Sequence, residues 1–379
     1  MFLSLVLLNW YFIHWDEGEI IKFAPLIKKL ALNIDEKPPK ENFLFLNVSY
    51  DKELTEYLDE FGFPVGNQAI TDRKKLSELF KILAEKNEHV AIVCDIRLEI
   101  NADSDSQLQK SVSNLKNVFF SRHFTNNSLN PIVIDVPWAI SDYPIVNGAF
   151  IKFKYFYQDS IKTMPIKLYE SINKKDFTGS EYTFSDGENL YLNTFITDLK
   201  IRPYDLFEVQ ENYPYSNLGE LLLIEKSEIE KIAKGKIIVI GDFQESDMHD
   251  SLLGDMPGPL LLTNAYLTIL NKENKVTFPI ILFLFTVFLL LSLKVFLPED
   301  PVEKWILVFT KNQKFIVFFS NILSYFMIIL LIVFSTYFIF GVLLNILWLV
   351  PYLYLLEKIV DFIHDKWGKN LFHMIEESN

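Results

Sequence analysis

Residues 241–257 read GDFQESDMHDSLLGDMP. Five side chains there could carry chemistry: Asp242, Asp247, His249, Asp250 and Asp255. An imidazole among carboxylates can hold a divalent cation, move a proton or bind a polar ligand. The stretch follows KIIVI (236–240), a buried strand, and strand ends in α/β sheets are where binding loops gather. The spacing is not that of an EF-hand, and one histidine is few for zinc. The ordinary alternative is a solvated loop whose aspartates cap turns. These five residues are therefore the candidate ligand site, with the ligand unidentified. No resident cofactor is expected, a divalent cation near His249 being the one these residue types allow.

Three other positions have chemical potential. Asp72-Arg73 opens a helix, where a carboxylate is favourable and the arginine could pair with Asp95 or another acid at a strand end. Asp95 closes the strand 90–95, VAIVCD. Cys94, the single cysteine, sits inside that apolar strand as a small core residue, and alone it forms no disulfide within the chain. No G-x-S-x-G, P-loop or G-x-G-x-x-G occurs, so no enzymatic activity is expected.

The elements that must position these residues follow from hydrophobic period. The runs 43–48, 90–95, 118–120 and 236–240 read as buried strands, and 72–84 and 105–114 as helices. That alternation predicts parallel pairing with right-handed crossovers. Residues 148–156 and 190–195 read as strands of a more antiparallel part. From 257 onward, PGPLLLTNAYLTIL reads as a helix leading directly into the apolar C-terminal region.

The chain has 379 residues, half of them apolar, and a net charge of −13. Acidity of that size disfavours nucleic acid as a partner. Residues 1–276 hold 41 acids and 29 bases, and the remainder 8 acids and 7 bases, so nearly all the net charge lies in the first part. Residues 277–297 carry one charge, Lys294, and are long enough as a helix for a bilayer core of about 30 Å. Residues 315–356 carry none and read as two further spans, 315–334 and 337–356, with the reversal near Ser335-Thr336 or Gly341. Residues 1–15 read as an uncleaved membrane anchor. Lysines at 304, 311, 314, 358, 366 and 369 place the loop 298–314 and the tail 357–379 in the cytoplasm. The expected fold class is thus an α/β extracytoplasmic domain, a mixed sheet with flanking helices over 16–276, plus an α-helical transmembrane domain over 277–356. The expected location is a bacterial inner membrane, multi-pass, with the large domain outside and the C-terminus in the cytoplasm.

Two blocks carry a family resemblance. TDRKKLSELFKILAE (71–85) followed by VAIVCDIRLE (90–99) resembles the opening of the type-two CHASE domain, a sensory domain associated with cyclases and histidine kinases. Asp72, Arg73 and Asp95 fit its motif positions. The block 235–270 resembles the closing part, with Gly241, Asp250, Pro257, Gly258, Asn264 and Ala265 at matching places. The resemblance implies a bacterial sensor over roughly 20–275. Family members usually continue into an output domain, whereas about 23 residues follow the last apolar run. The expected function is a membrane sensor subunit that signals through its helices to a separate membrane or cytoplasmic protein. The alternative is a non-sensory structural or assembly subunit of an envelope complex.

Overall fold

A computed structural model describes residues 23–32, 37–58, 61–125, 128–143, 145–146, 149–150, 152–157, 161–180, 182–207, 212–244, 246–251, 253–296, 314–342 and, apart from 352 and 361, 349–363. The anchor proposed for 1–15, most of the loop 298–314 and the tail beyond 363 lie outside the described residues.

Apolar, β-branched and aromatic strands set the centre. They are β1 (Phe43–Asn47), β4 (Ala91–Asp95), β5 (Val118–Arg122), β6 (Trp138–Ile140), β9 (Tyr215–Asn217) and β10 (Ile237–Gly241). They form one six-stranded sheet in the order β9-β1-β10-β4-β5-β6, with every neighbouring pair parallel. Because side chains alternate across a strand, the runs feed two cores at once. Leu44, Leu46, Ile92, Cys94, Ile238 and Ile240 face one layer of helices, α1 (Arg73–Lys86), α2 (Asp105–Val112) and α4 (Lys226–Ala233). Phe43, Phe45, Ala91, Val93, Ile237 and Val239 face the other, α3 (Met164–Asn173) and α5 (Gly258–Leu270). The result is a three-layer α/β/α sandwich.

The α1 helix begins one residue later than the expected 72–84. Asp72 is the N-cap and accepts a hydrogen bond from the Lys75 amide at 3.0 Å. Asn87 takes the left-handed C-cap, with φ of 51°. Arg73 is buried and donates to the Asp105 carboxylate and to the Ile100 carbonyl. Its partner is therefore the acid that opens α2, and not Asp95. Between β1 and α1 an antiparallel hairpin, β2 (Lys52–Leu58) and β3 (Pro64–Thr71), projects with most of its side chains exposed. The expected antiparallel part is present as β7 (Lys152–Lys154) paired with β8 (Thr194–Ile196).

The transmembrane reading is corrected. The apolar C-terminal runs form α6 (Phe278–Phe296) and α7 (Lys314–Phe340). Among the described residues no helix is long and apolar enough to cross a membrane. One face of each helix is packed against protein. Ile280 and Leu284 of α6 and Tyr325, Ile329, Ile332 and Val333 of α7 bury against one another and against Ala24, Leu192 and Ile196. The other face is apolar and exposed, with Phe278, Leu282, Phe285 and Leu290 of α6 and Met327, Leu331 and Ile339 of α7 between 51 and 73% exposed. The expected spans 277–297 and 315–334 find no membrane-crossing helix among the described residues, and residues 343–348 of the third, 337–356, lie outside them. This overturns the multi-pass inner-membrane description with its α-helical transmembrane domain. Of the two places expected for a reversal, α7 runs on through Ser335 and Thr336 and ends at Gly341, where φ is 70°. The α5 helix does not run on into α6, since a turn at 271–277 separates them and Lys275 bridges to Tyr191.

Candidate functional site

The carboxyl ends of the parallel strands carry a polar cluster. Its centre is Asp95, the last residue of β4, lying next to Gly241 of β10 in register. Ser121 of β5 donates to the Asp95 carboxylate at 2.5 Å, and Ser141, just past β6, donates to Ser121 at 2.6 Å. Three adjacent strand ends thus supply a chain of two buried hydroxyls that ends on an acid. Burial drives the Asp95 carboxyl up to about 7, and the nearby Asp247 charge adds to it, while His123, the Ser121 bond and His249 pull the other way.

Two acid–imidazole pairs neighbour Asp95. His123 Nδ1 lies 2.9 Å from Asp142, whose second oxygen accepts the Phe124 amide at 2.6 Å. His249 Nε2 lies 2.9 Å from Asp247. Burial works against charge on the His123 ring, but the Asp142 bond and the charges of Asp95 and Asp142 outweigh it and raise its pKa. The Tyr143 ring meets His249 edge to face at 5.1 Å. The Tyr143 hydroxyl is held protonated, first by burial and then by Asp247 and Asp95. The side chains of both pairs are between about a quarter and a third exposed, so the cluster is open to solvent on one side.

Glycines let the backbone close in. A Cβ on Gly241 would lie 2.3 Å from the Pro259 ring and 3.2 Å from the Asp95 carbonyl oxygen. A Cβ on Gly258 would lie 2.2 Å from an Asp247 carboxylate oxygen. The Gly258 amide donates to the Asp247 carbonyl at 2.8 Å, so Asp247 sits against the first turn of α5, where a negative charge is favourable. Neither atom pressed on by Gly241 can swing away, since one belongs to a proline ring and the other to a strand backbone. Gly241→Ala is expected to cost about 2 kcal/mol, the usual range for overpacking. Urea unfolding of the variant checks this, and an unchanged midpoint would contradict the close approach.

The five residues expected to form one site divide into three groups. Asp247 and His249 join Asp95. Asp242 instead closes a local turn, accepting from Ser49, Ser246 and the Gln244 amide, with Lys52 at 3.5 Å. Burial opposes its charge, yet these donors hold its carboxyl down to about 2. Asp250 and Asp255 face each other across the hairpin of β11 (Met248–Ser251) and β12 (Gly254–Pro257), exposed to solvent. Their hydrogen bond and mutual repulsion raise the Asp255 carboxyl. Among the described residues no three His, Cys, Asp or Glu side chains are grouped to hold a metal ion. Ser121, His123, Ser141, Asp142 and Tyr143 escape the sequence reading. The signal for them is positional: each lies at or just beyond the end of β5 or β6.

The remaining motif positions are structural. Asn264 of α5 is fully buried and accepts from the Lys200 and Ile201 amides at 2.7 and 2.9 Å. It donates to the Ile201 and Leu260 carbonyls at 2.8 and 2.9 Å. Pro257 ends β12, and its carbonyl side leads into the α5 N-terminus.

Compared with protein-family models, curated proteins and solved structures, the chain matches none.

Proposed function

We propose that the chain is a ligand-responsive sensory module whose site is the Asp95–Asp247 cluster, and that its ligand is a small organic cation, an ammonium or guanidinium. The observation that carries this reading is the partly buried Asp95 carboxyl beside a second carboxylate at the open carboxyl end of a parallel sheet. Two acids that repel each other there are relieved by a cation, and the flanking His123 pair adds the carboxylate of Asp142. Asp250 and Asp255 make the rim acidic. The residues behind the type-two CHASE resemblance support the same reading, since Asp95, Gly241 and Gly258 all border this cluster.

Readout passes through α5. Asp247 contacts the first residue of that helix, and Asn264 ties its middle to the 200–201 segment. A cation that draws Asp95 and Asp247 together favours one setting of the α5 N-terminus, and the shift is as large as its differential affinity for the two settings. The recipient is a separate protein.

The test is a thermal-shift titration of the full chain with putrescine, agmatine and spermidine. At least one should raise the melting temperature saturably, and Asp247→Asn should weaken its binding about tenfold or more. Stabilisation by none of them, or unchanged binding in Asp247→Asn, contradicts the reading.

A second reading, a non-sensory assembly subunit, has one observation in its favour. The β2–β3 hairpin exposes Leu54, Phe61, Phe63 and Val65, at 73, 83, 66 and 59%. Exposed apolar side chains on a projecting arm are a common form of protein contact. This reading predicts a constitutive partner that is lost when the arm is removed, with no response to cations.

A further inference from the structure

The amino ends of the parallel strands border a cavity of about 850 Å³, at the opposite end of the sheet from the Asp95 cluster. Phe43 and Ile237, from the strand starts, and Tyr266, Leu267 and Leu270, from α5, give it apolar lining. Charged side chains line it as well. Lys28, Lys37 and Lys200 reach it from three separate segments, together with Asp198 and Glu273.

These charges form a ladder inside the protein. Lys28 and Lys29 approach the two oxygens of Asp198 at 3.5 and 3.1 Å, and Lys200 pairs with Glu273. Asp198 is 7% exposed and Lys200 3%. Burial opposes charge on Asp198, and Lys29 and Lys28 outweigh it, keeping the acid ionised. Burial wins at Glu273, whose carboxyl is raised in spite of Lys200. Ionic groups buried this deeply add little stability compared with well-packed apolar ones. A ladder of them on the wall of a cavity large enough for a ligand points to recognition.

We propose that this cavity binds an amphipathic carboxylate, its apolar body against Phe43, Ile237 and Leu267 and its head group beside Lys28 and Lys200. Lysine ammonium groups held by the ladder are already ordered and desolvated, so the head group meets donors with little further entropy to lose. The site is independent of the Asp95 cluster and of the function proposed for it.

The test uses the full chain and sodium dodecanoate below its micelle concentration, with dodecan-1-ol as a probe of equal chain length and no charge. Isothermal titration should show one saturable site for dodecanoate and binding at least tenfold weaker for the alcohol. Leu270→Trp, at a position 38% exposed on the cavity lining, should weaken dodecanoate binding tenfold or more without unfolding the protein. Lys200→Met with Glu273→Met removes an ion pair as a unit and should abolish the preference for the acid over the alcohol. If that double variant does not fold, Leu270→Trp carries the decision. Absence of saturable binding, equal affinity for acid and alcohol, or unchanged binding in Leu270→Trp each overturns the proposal.

Discussion

Asp95→Asn is expected to stabilise the protein at pH 8 by about 4 kcal/mol relative to the parent chain. The sign follows from linkage. An aspartate in the unfolded chain titrates at about 3.9. In the fold, burial and the charge of Asp247 raise the Asp95 carboxyl to about 7. Between those two values the folded state holds a proton that the unfolded state has lost, so stability falls as pH rises from about 4 to about 7 and then levels off. Three pH units at about 1.4 kcal/mol each give the size of the effect. Asparagine is the same shape, can still accept from Ser121, and has no proton to lose. The difference between variant and parent cancels the titrating groups remote from Asp95, and leaves those that feel its charge, His123 among them. Measured by urea unfolding from pH 4 to 8.5, it should be small at pH 4 and grow towards pH 7. A flat difference would show that Asp95 is an ordinary solvated acid. The same substitution should weaken binding of the cation identified by thermal shift, so stability and binding move in opposite directions. That opposition is expected when a group is retained for function at a cost to the fold.

The second large effect lies in α5. Asn264→Leu is expected to destabilise the chain by about 4 kcal/mol. The side-chain amide satisfies the Lys200 and Ile201 amides and the Ile201 carbonyl, all from a segment with no regular strand or helix of its own at that point. Leucine leaves three buried backbone groups without these partners, each costing about 1–3 kcal/mol. Relaxation and water entry recover part of that sum. Asn264→Asp should be no better, because a carboxylate would face two carbonyl oxygens that now receive the amide hydrogens. Chemical denaturation of both variants checks this, and a loss below about 1 kcal/mol would show that water replaces the amide without penalty.

The four central strands were legible because their signals are local. Phe43–Asn47, Ala91–Asp95 and Ile237–Gly241 are short β-rich apolar runs, whereas the edge strands Trp138–Ile140 and Tyr215–Asn217 are three residues each and were not expected. The order of strands was not legible. Placing β10 between β1 and β4 pairs Ile237 with Phe43, 194 residues away, and with Ala91, 146 residues away, and nothing in the runs encodes that adjacency. The candidate site was half legible for the same reason. Asp247 and His249 stand out because they are close in sequence, whereas His123 has Asp142 as its partner only once β5 and β6 are side by side. Asp242 drew attention by its position in the acidic stretch, but its neighbours Ser49 and Lys52 come from the far side of β1 and make it a turn acid. Hydropathy failed most plainly at the C-terminus. It measures what a segment lacks, which is charge, and α6 and α7 lack it both on the face packed against Leu192 and Ile196 and on the face left exposed.

The account turns on Asp95 as an acid that shares its site with Asp247 and releases its proton to solvent when a cation binds. The direct measurement is a carbon-13 titration of the aspartate carboxyls in the full chain, free and with a saturating amount of the organic cation identified by thermal shift. The Asp95 signal, assigned by its loss in Asp95→Asn, should show a midpoint near 7 in the free protein, and the cation should lower that midpoint by at least one pH unit. A midpoint near 4 in the free protein, or one near 7 that the cation leaves unmoved, would contradict the account.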